Sequence, residues 1–250
     1  DIALFAGGSI SKDFAPHAVK AGAVVIDNSS AFRMDPEVPL VVPEVNPQAI
    51  LKHKGIIANP NCSTIIMVMA LKPIYDLAKI KRVIVSTYQA VSGAGKEGID
   101  ELDAQVRDHS EGREMTANIL PSASAEKHYP IAFNLIPQID VFCDNLYTKE
   151  EMKMVNETKK IMEDYEMRIT ATTIRVPVYR SHSESVNIEL EKEVDLGAMR
   201  EALAKFPGVT VQDDPSKQEY PMPLYTSEKD DVYVGRLRRD ESCEKSYNIW

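Results

Sequence analysis

Asn59-Pro60-Asn61-Cys62-Ser63-Thr64 sets one cysteine between a turn and the apolar run Ile65-Ile66-Met67-Val68-Met69-Ala70-Leu71. Such a run is too apolar for a surface loop and predicts a buried helix, with Pro73 near its far end. Asn61 is a good N-cap residue, which puts Cys62 in the first turn. There the unpaired amide N–H groups and the positive helix end favour thiolate over thiol. A thiolate attacks carbonyl carbon. Position alone leaves two readings open, a nucleophile or a small buried apolar residue.

Two further segments carry reactive side chains. Gln89-Ala90-Val91-Ser92-Gly93-Ala94-Gly95-Lys96 follows the predicted strand Arg82–Tyr88. Ile174-Arg175-Val176-Pro177-Val178-Tyr179-Arg180-Ser181-His182-Ser183 holds an arginine and a histidine seven residues apart. His17, His53, His109 and His128 have no comparable context. Together the three segments resemble the bacterial aspartate-β-semialdehyde dehydrogenase family, and the resemblance runs from Phe5-Ala6-Gly7-Gly8-Ser9 to Asn248-Ile249-Trp250.

That resemblance implies reductive dephosphorylation of aspartyl phosphate to aspartate semialdehyde, in lysine, threonine, methionine and isoleucine biosynthesis. A cysteine thioester divides one difficult step into two easier ones. Cys62 is then the nucleophile, and His182 the acid/base, its ordinary pKa of about 6.5 suiting work near neutrality. Gln89 would orient the cysteine adduct. Arg175 would grip the substrate α-carboxylate with a planar fork. Glu150 would face the substrate ammonium, with Lys153 near the phosphate, although Glu150, Glu151 and Lys153 also read as a solvated helix start. Arg33 and Asn61 are the other phosphate-site candidates. The implied cofactor is NADP, with Gly7, Gly8, Ser9, Asn28 and Ser29 on the nucleotide side. Ser92 and Gly93, with Gly95, would line the nicotinamide. The rival readings are N-acetyl-γ-glutamyl-phosphate reductase, which acts on an acylated amine, and a catalytically silent homologue serving as a subunit.

The elements that must position these residues are also legible. Asp1–Ala6, a helix over Lys12–Ala21 and Ala23–Ile26 give the strand–helix–strand rhythm of a parallel sheet. Beyond Cys62, alternating strands such as Val186, Ile188 and Leu190 mix with helices. Those helices are predicted over Glu97–Arg107, Glu150–Tyr165 and Asp195–Phe206, with Met152, Val155, Met162 and Tyr165 on the apolar face of the second. The expected fold is therefore α/β. The resemblance implies that residues 1–61 are the remainder of a Rossmann-like NADP-binding domain. Residues 62–250 are expected to form an α+β domain, which the resemblance implies is a catalytic and dimerisation domain of the glyceraldehyde-3-phosphate dehydrogenase C-terminal type. No G-x-G-x-x-G turn is present, so the chain is expected to start inside its nucleotide domain. The resemblance implies that a closing helix follows Trp250.

Composition sets outer bounds. Lys and Arg number 29 against 38 Asp and Glu, a net charge of −9, which argues against a nucleic-acid surface. Three cysteines without a CxxC pair make neither a disulfide framework nor a zinc site, and Cys143 and Cys243 read as ordinary thiols. The cysteine usage fits a reducing, cytoplasmic compartment, and the resemblance implies a homodimer or homotetramer. No metal and no membrane span is expected, since a span needs about 20 apolar residues in a row.

Overall fold

Short apolar runs punctuated by glycine and asparagine build the first sheet. The computed structural model describes residues 1–250, with the side chain of Ser9 outside the described residues. Strands β1 (Ile2–Phe5), β2 (Val24–Asp27) and β3 (Ile56–Ala58) pair in parallel in that order. Helix α1 (Ser11–Lys20) returns the chain from β1 to β2, which is the predicted rhythm. Because the three strands run the same way, the loops after Phe5, Asp27 and Ala58 share one edge. Open parallel sheets bind ligands at that carboxyl edge.

Helix α2 (Cys62–Leu77) leaves this edge and carries the chain into the second part. It continues four residues past Pro73, whose missing N–H costs one hydrogen bond. Buried Met67, Leu71 and Ile74 keep its length in the core. There follow β4 (Ile80–Gln89), α3 (Gly95–Ser110), α4 (Lys149–Met162), β5 (Arg168–Arg175) and β6 (Ser183–Leu190). The chain ends through α5 (Leu196–Lys205), β7 (Val209–Val211), α6 (Pro223–Thr226), β8 (Val232–Val234), β9 (Arg238–Arg239) and β10 (Ser246–Ile249).

Five of these strands form a mixed sheet in the order β5-β4-β6-β10-β9, while β7 and β8 make a separate parallel pair. β4 runs parallel to β5 with Gln89 opposite Arg175, and antiparallel to β6 with Tyr88 opposite Ser183. The register therefore brings the ends of β4 and β5 and the start of β6 to one place. Helix α2 packs on α4, α5 and β6. One hydrophobic cluster joins Val38 and Ala58 of the first part to Met67, Val83, Val186 and Tyr247 of the second.

Helix α4 corrects the expected apolar face. Its buried residues are Glu150, Glu151, Met154, Glu157, Thr158 and Ile161, and not Met152 or Val155. Tyr165 lies beyond the helix end and is 68% exposed. The buried face is polar because it meets polar partners. Thr148 caps the helix in a capping box with Glu151, and Glu151 also accepts the Thr173 amide of β5.

Candidate active site

The nucleophile's position follows from the cap. Asn61 is in extended conformation before α2, and its Oδ1 accepts the amides of Ser63 and Thr64 at 3.0 and 3.2 Å. Cys62 is thus the first residue of the helix, and it is exposed. The expected effect on its acidity does not hold. Burial of the sulfur's surroundings pushes the thiol above its ordinary range, the Glu150 carboxylate adds to this, and the Ser63 amide only partly offsets them. Desolvation and a nearby like charge outweigh the helix end.

Three chain segments converge beside it. Gln89 ends β4 and is buried, its amide donating to Thr87 Oγ1 at 3.2 Å and to Glu150 Oε1 at 3.4 Å. Arg175 ends β5, is buried, and donates from Nη1 to the Ala90 carbonyl at 2.7 Å. Its Nε–H finds no partner among the described residues. His182 precedes β6, and its Nδ1 accepts the Ala90 amide at 2.9 Å. The ring's remaining proton therefore sits on Nε2. Burial, and then the Arg175 guanidinium, push the His182 pKa down to about 4, so the ring is neutral at pH 7.

Gly93 makes this packing possible. A Cβ at that position would stand 2.7 Å from Arg175 Nη1 and 3.3 Å from His182 Nε2. The short 3-10 turn Val91–Ala94 that holds Ser92 and Gly93 is pinned to the Arg175–His182 segment by Val91 and Ser92 amides donating to Val178 and Tyr179 carbonyls. A cavity of about 400 Å³ adjoins His182 and is bounded in part by Ile65, Ile66, Glu184 and Trp250.

The polar face of α4 supplies the carboxylates. Glu150 is buried, accepting from Asn61 Nδ2 at 2.9 Å on one oxygen and from Lys153 Nζ at 3.2 Å on the other. It is therefore a buried carboxylate beside the residue before Cys62 and not a solvated helix start. Lys153 also pairs with Asp140 at 3.0 Å. Arg33 is buried, with Nε donating to the Asn59 carbonyl, Nη2 to the Asn28 carbonyl and Nη1 to Glu157, which leaves one N–H on each terminal nitrogen. The sequence reading missed Glu157. Its only signal was the seven-residue spacing from Glu150, which puts both on one helix face.

The nucleotide-side candidates lie on the carboxyl edge of the first sheet. Gly8 has φ +63°, and a Cβ there would meet nothing within 4 Å. The turn thus leaves the open approach that a dinucleotide backbone needs. Asn28 is exposed and receives the Asn59 side-chain amide at 2.6 Å. Ser29 is buried, with its hydroxyl donating to Asp27 at 2.7 Å, so it shapes the loop from within. Ser9 lies outside the described residues as far as its side chain is concerned. Among the described residues no cluster of His, Cys, Asp or Glu is placed to hold a metal ion, and no helix is long and apolar enough to cross a membrane.

One consequence of this charge arrangement is measurable. Glu150→Gln is expected to shift the pH dependence of Cys62 alkylation by iodoacetamide downward, since it removes the second cause of the raised thiol pKa. An unchanged profile would show that Glu150 does not act on the sulfur.

Comparison with known proteins places the chain in one family. The model of the semialdehyde dehydrogenase dimerisation domain matches residues 71–250, and that of the semialdehyde dehydrogenase NAD binding domain matches residues 1–53. The aspartate-semialdehyde dehydrogenase of Aquifex aeolicus is 56% identical, with 100% of this chain matched and 73% of that protein covered. The Bacillus subtilis enzyme of the same name is 54% identical over 100% of this chain and 73% of its own length. The crystal structure of aspartate semialdehyde dehydrogenase II from Vibrio cholerae complexed with ASA superposes with a TM-score of 0.93 at 47% identity, over 100% of this chain and 72% of that one. The chain belongs to the semialdehyde dehydrogenase family.

Proposed function

We propose that this chain carries the catalytic site of an NADP-dependent, phosphorylating aspartate-semialdehyde dehydrogenase. The observation that carries the reading is the meeting of Cys62, Gln89, Arg175, His182 and Glu150 at one edge, reached from three strands and two helix starts. The names of the close relatives support this substrate over the acylated amine of the arginine-pathway reductase. We take residues 1–61 as the nucleotide-binding part and 62–250 as the catalytic and self-associating part. Exposed Phe133, Leu135, Phe142 and Leu146 support self-association through the second part. A cytoplasmic setting is part of the same proposal.

Each residue has a task in this reading. The substrate ammonium pairs with Glu150 and removes the carboxylate charge that, after burial, raises the Cys62 thiol, so binding favours loss of the thiol proton to solvent. The α-carboxylate takes the free Nε–H of Arg175. Cys62 adds to the acyl carbon, and the resulting oxyanion accepts the Nε2–H of neutral His182. Gln89 holds Glu150 and faces the adduct. The loops after β1 and β2 and the Ser92-Gly93 turn would hold NADP, which would supply hydride transfer to and from the Cys62-bound carbon. Arg33, Asn61 and Lys153 serve the phosphate that exchanges with the thioester.

The test is NADPH formation from aspartate semialdehyde by the intact enzyme, with and without inorganic phosphate, and with NAD in place of NADP. Phosphate-dependent turnover preferring NADP supports the reading. Phosphate-independent turnover, or none, overturns it. Arg175→Lys is expected to raise the semialdehyde KM by about tenfold or more, because an ammonium cannot offer both the Ala90 bond and a second donor in a fixed plane. An unchanged KM removes Arg175 from the substrate site.

A further inference from the structure

We propose that Glu157 is a positioning residue for this reaction: its buried carboxylate ties Arg33 to the start of the Cys62 helix, holding the phosphate site in register with the nucleophile. The proposal rests on the reading of Arg33 as a phosphate group ligand and adds a residue that the reaction chemistry alone does not call for.

The geometry is specific. Glu157 is 1% exposed. One carboxylate oxygen accepts Arg33 Nη1 at 3.2 Å, and the other accepts the Asn61 backbone amide at 2.7 Å. Asn61 is also the residue whose side chain caps α2 and donates to Glu150. Two carboxylates from one face of α4, two turns apart, therefore grip the single residue before Cys62. A turn beyond Glu157, Lys160 donates to the carbonyls of Arg33, Asp35 and Val38 at 2.8, 2.7 and 2.8 Å. Helix α4 thus fixes the Arg33 loop by both its backbone and its side chain.

A split grip of this kind is poorly suited to stability alone. Desolvating a carboxylate and a guanidinium offsets much of their attraction, and a well-packed apolar pair is often as stable. Burial raises the Glu157 carboxyl above its ordinary range with Glu150 adding to it, and Arg33 and the Asn61 amide only partly offset this. What the arrangement supplies is a fixed distance between an anion-binding guanidinium on one loop and the amide that starts the nucleophile's helix. In acyl transfer to phosphate that distance sets whether the attacking oxygen reaches the thioester carbon.

The test compares Glu157→Gln, Arg33→Lys and the double variant in the intact enzyme, with the KM for inorganic phosphate and for semialdehyde measured separately and folding checked by circular dichroism. Glutamine keeps an acceptor for the Asn61 amide and loses the charge on Arg33. The expected result is a phosphate KM raised about tenfold in each single variant, with the double variant no worse than the worse single one, as coupled partners behave. The semialdehyde KM should stay within about twofold. An unchanged phosphate KM in Glu157→Gln, with Arg33→Lys still impaired, overturns the proposal alone. Strictly additive effects also overturn it. No effect of Arg33→Lys on phosphate overturns the reading of Arg33 and this proposal with it. Should Glu157→Gln fail to fold, Glu157→Asp carries the same comparison, since it keeps the charge and shortens the reach.

Discussion

Cys62→Ala is expected to lose turnover by on the order of 10⁴–10⁶-fold, the scale seen when a covalent nucleophile is removed. The fold should be untouched. Cys62 is exposed, and the helix cap belongs to Asn61, so alanine removes neither core packing nor a hydrogen bond of the cap. Steady-state assay beside thermal unfolding checks both halves. Residual activity above about 1% would mean that the sulfur is not the attacking group. A large fall in melting temperature would instead make Cys62 a packing residue, the second reading its position left open.

His182→Ala should lower kcat by on the order of 10²–10³-fold, the usual worth of one well-placed donor to an oxyanion. With Nδ1 occupied by the Ala90 amide, the ring can present only Nε2–H to the site. Protonating it would set two N–H groups against each other. On the proposed reading His182 acts as a neutral donor, whereas the sequence alone suggested a proton shuttle working near its ordinary pKa. The pH profile separates the two. With a folded pKa of about 4, the wild-type kcat/KM should show no His182 inflection near pH 6.5. The unfolded ring takes up its proton near 6.5 while the folded one resists until about 4, so the unfolded state binds more protons in that window. Stability should therefore fall by about 3 kcal/mol as pH drops from 6.5 to 4, and His182→Ala should remove that slope. An inflection near 6.5 that vanishes in the variant would restore the shuttle.

Much of the site was legible because its residues sit at the ends of elements, where local rules apply. Asn61 caps as an asparagine before an apolar helix should, and Gln89 and Gly93 mark a strand end followed by a turn. The pairing of β4 with β5 and β6 then brings Arg175 and His182 beside them, which family-like segments implied but periodicity could not. The polar face of α4 was not legible. Hydropathy spacing picked out Met152, Val155 and Tyr165, whereas the helix buries Glu150 and Glu157 against Asn61 and Arg33. Arg33 lies 124 residues from Glu157 along the chain. No local signal reports that partner, and without it a buried glutamate reads as a solvated one. The same long-range charge explains the thiol. The helix start is visible in the sequence and lowers its pKa, but Glu150 and the loss of water, which raise it, come from the fold.

The central claim is covalent chemistry at Cys62, and it is tested most directly by mass spectrometry. The intact enzyme is mixed with aspartyl phosphate in the absence of reduced cofactor, quenched in acid and digested. An aspartyl adduct on the peptide carrying Cys62, released by added NADPH or phosphate, is the result expected here. An unmodified Cys62 under conditions where the same preparation turns over, or an adduct on another residue, would contradict the account.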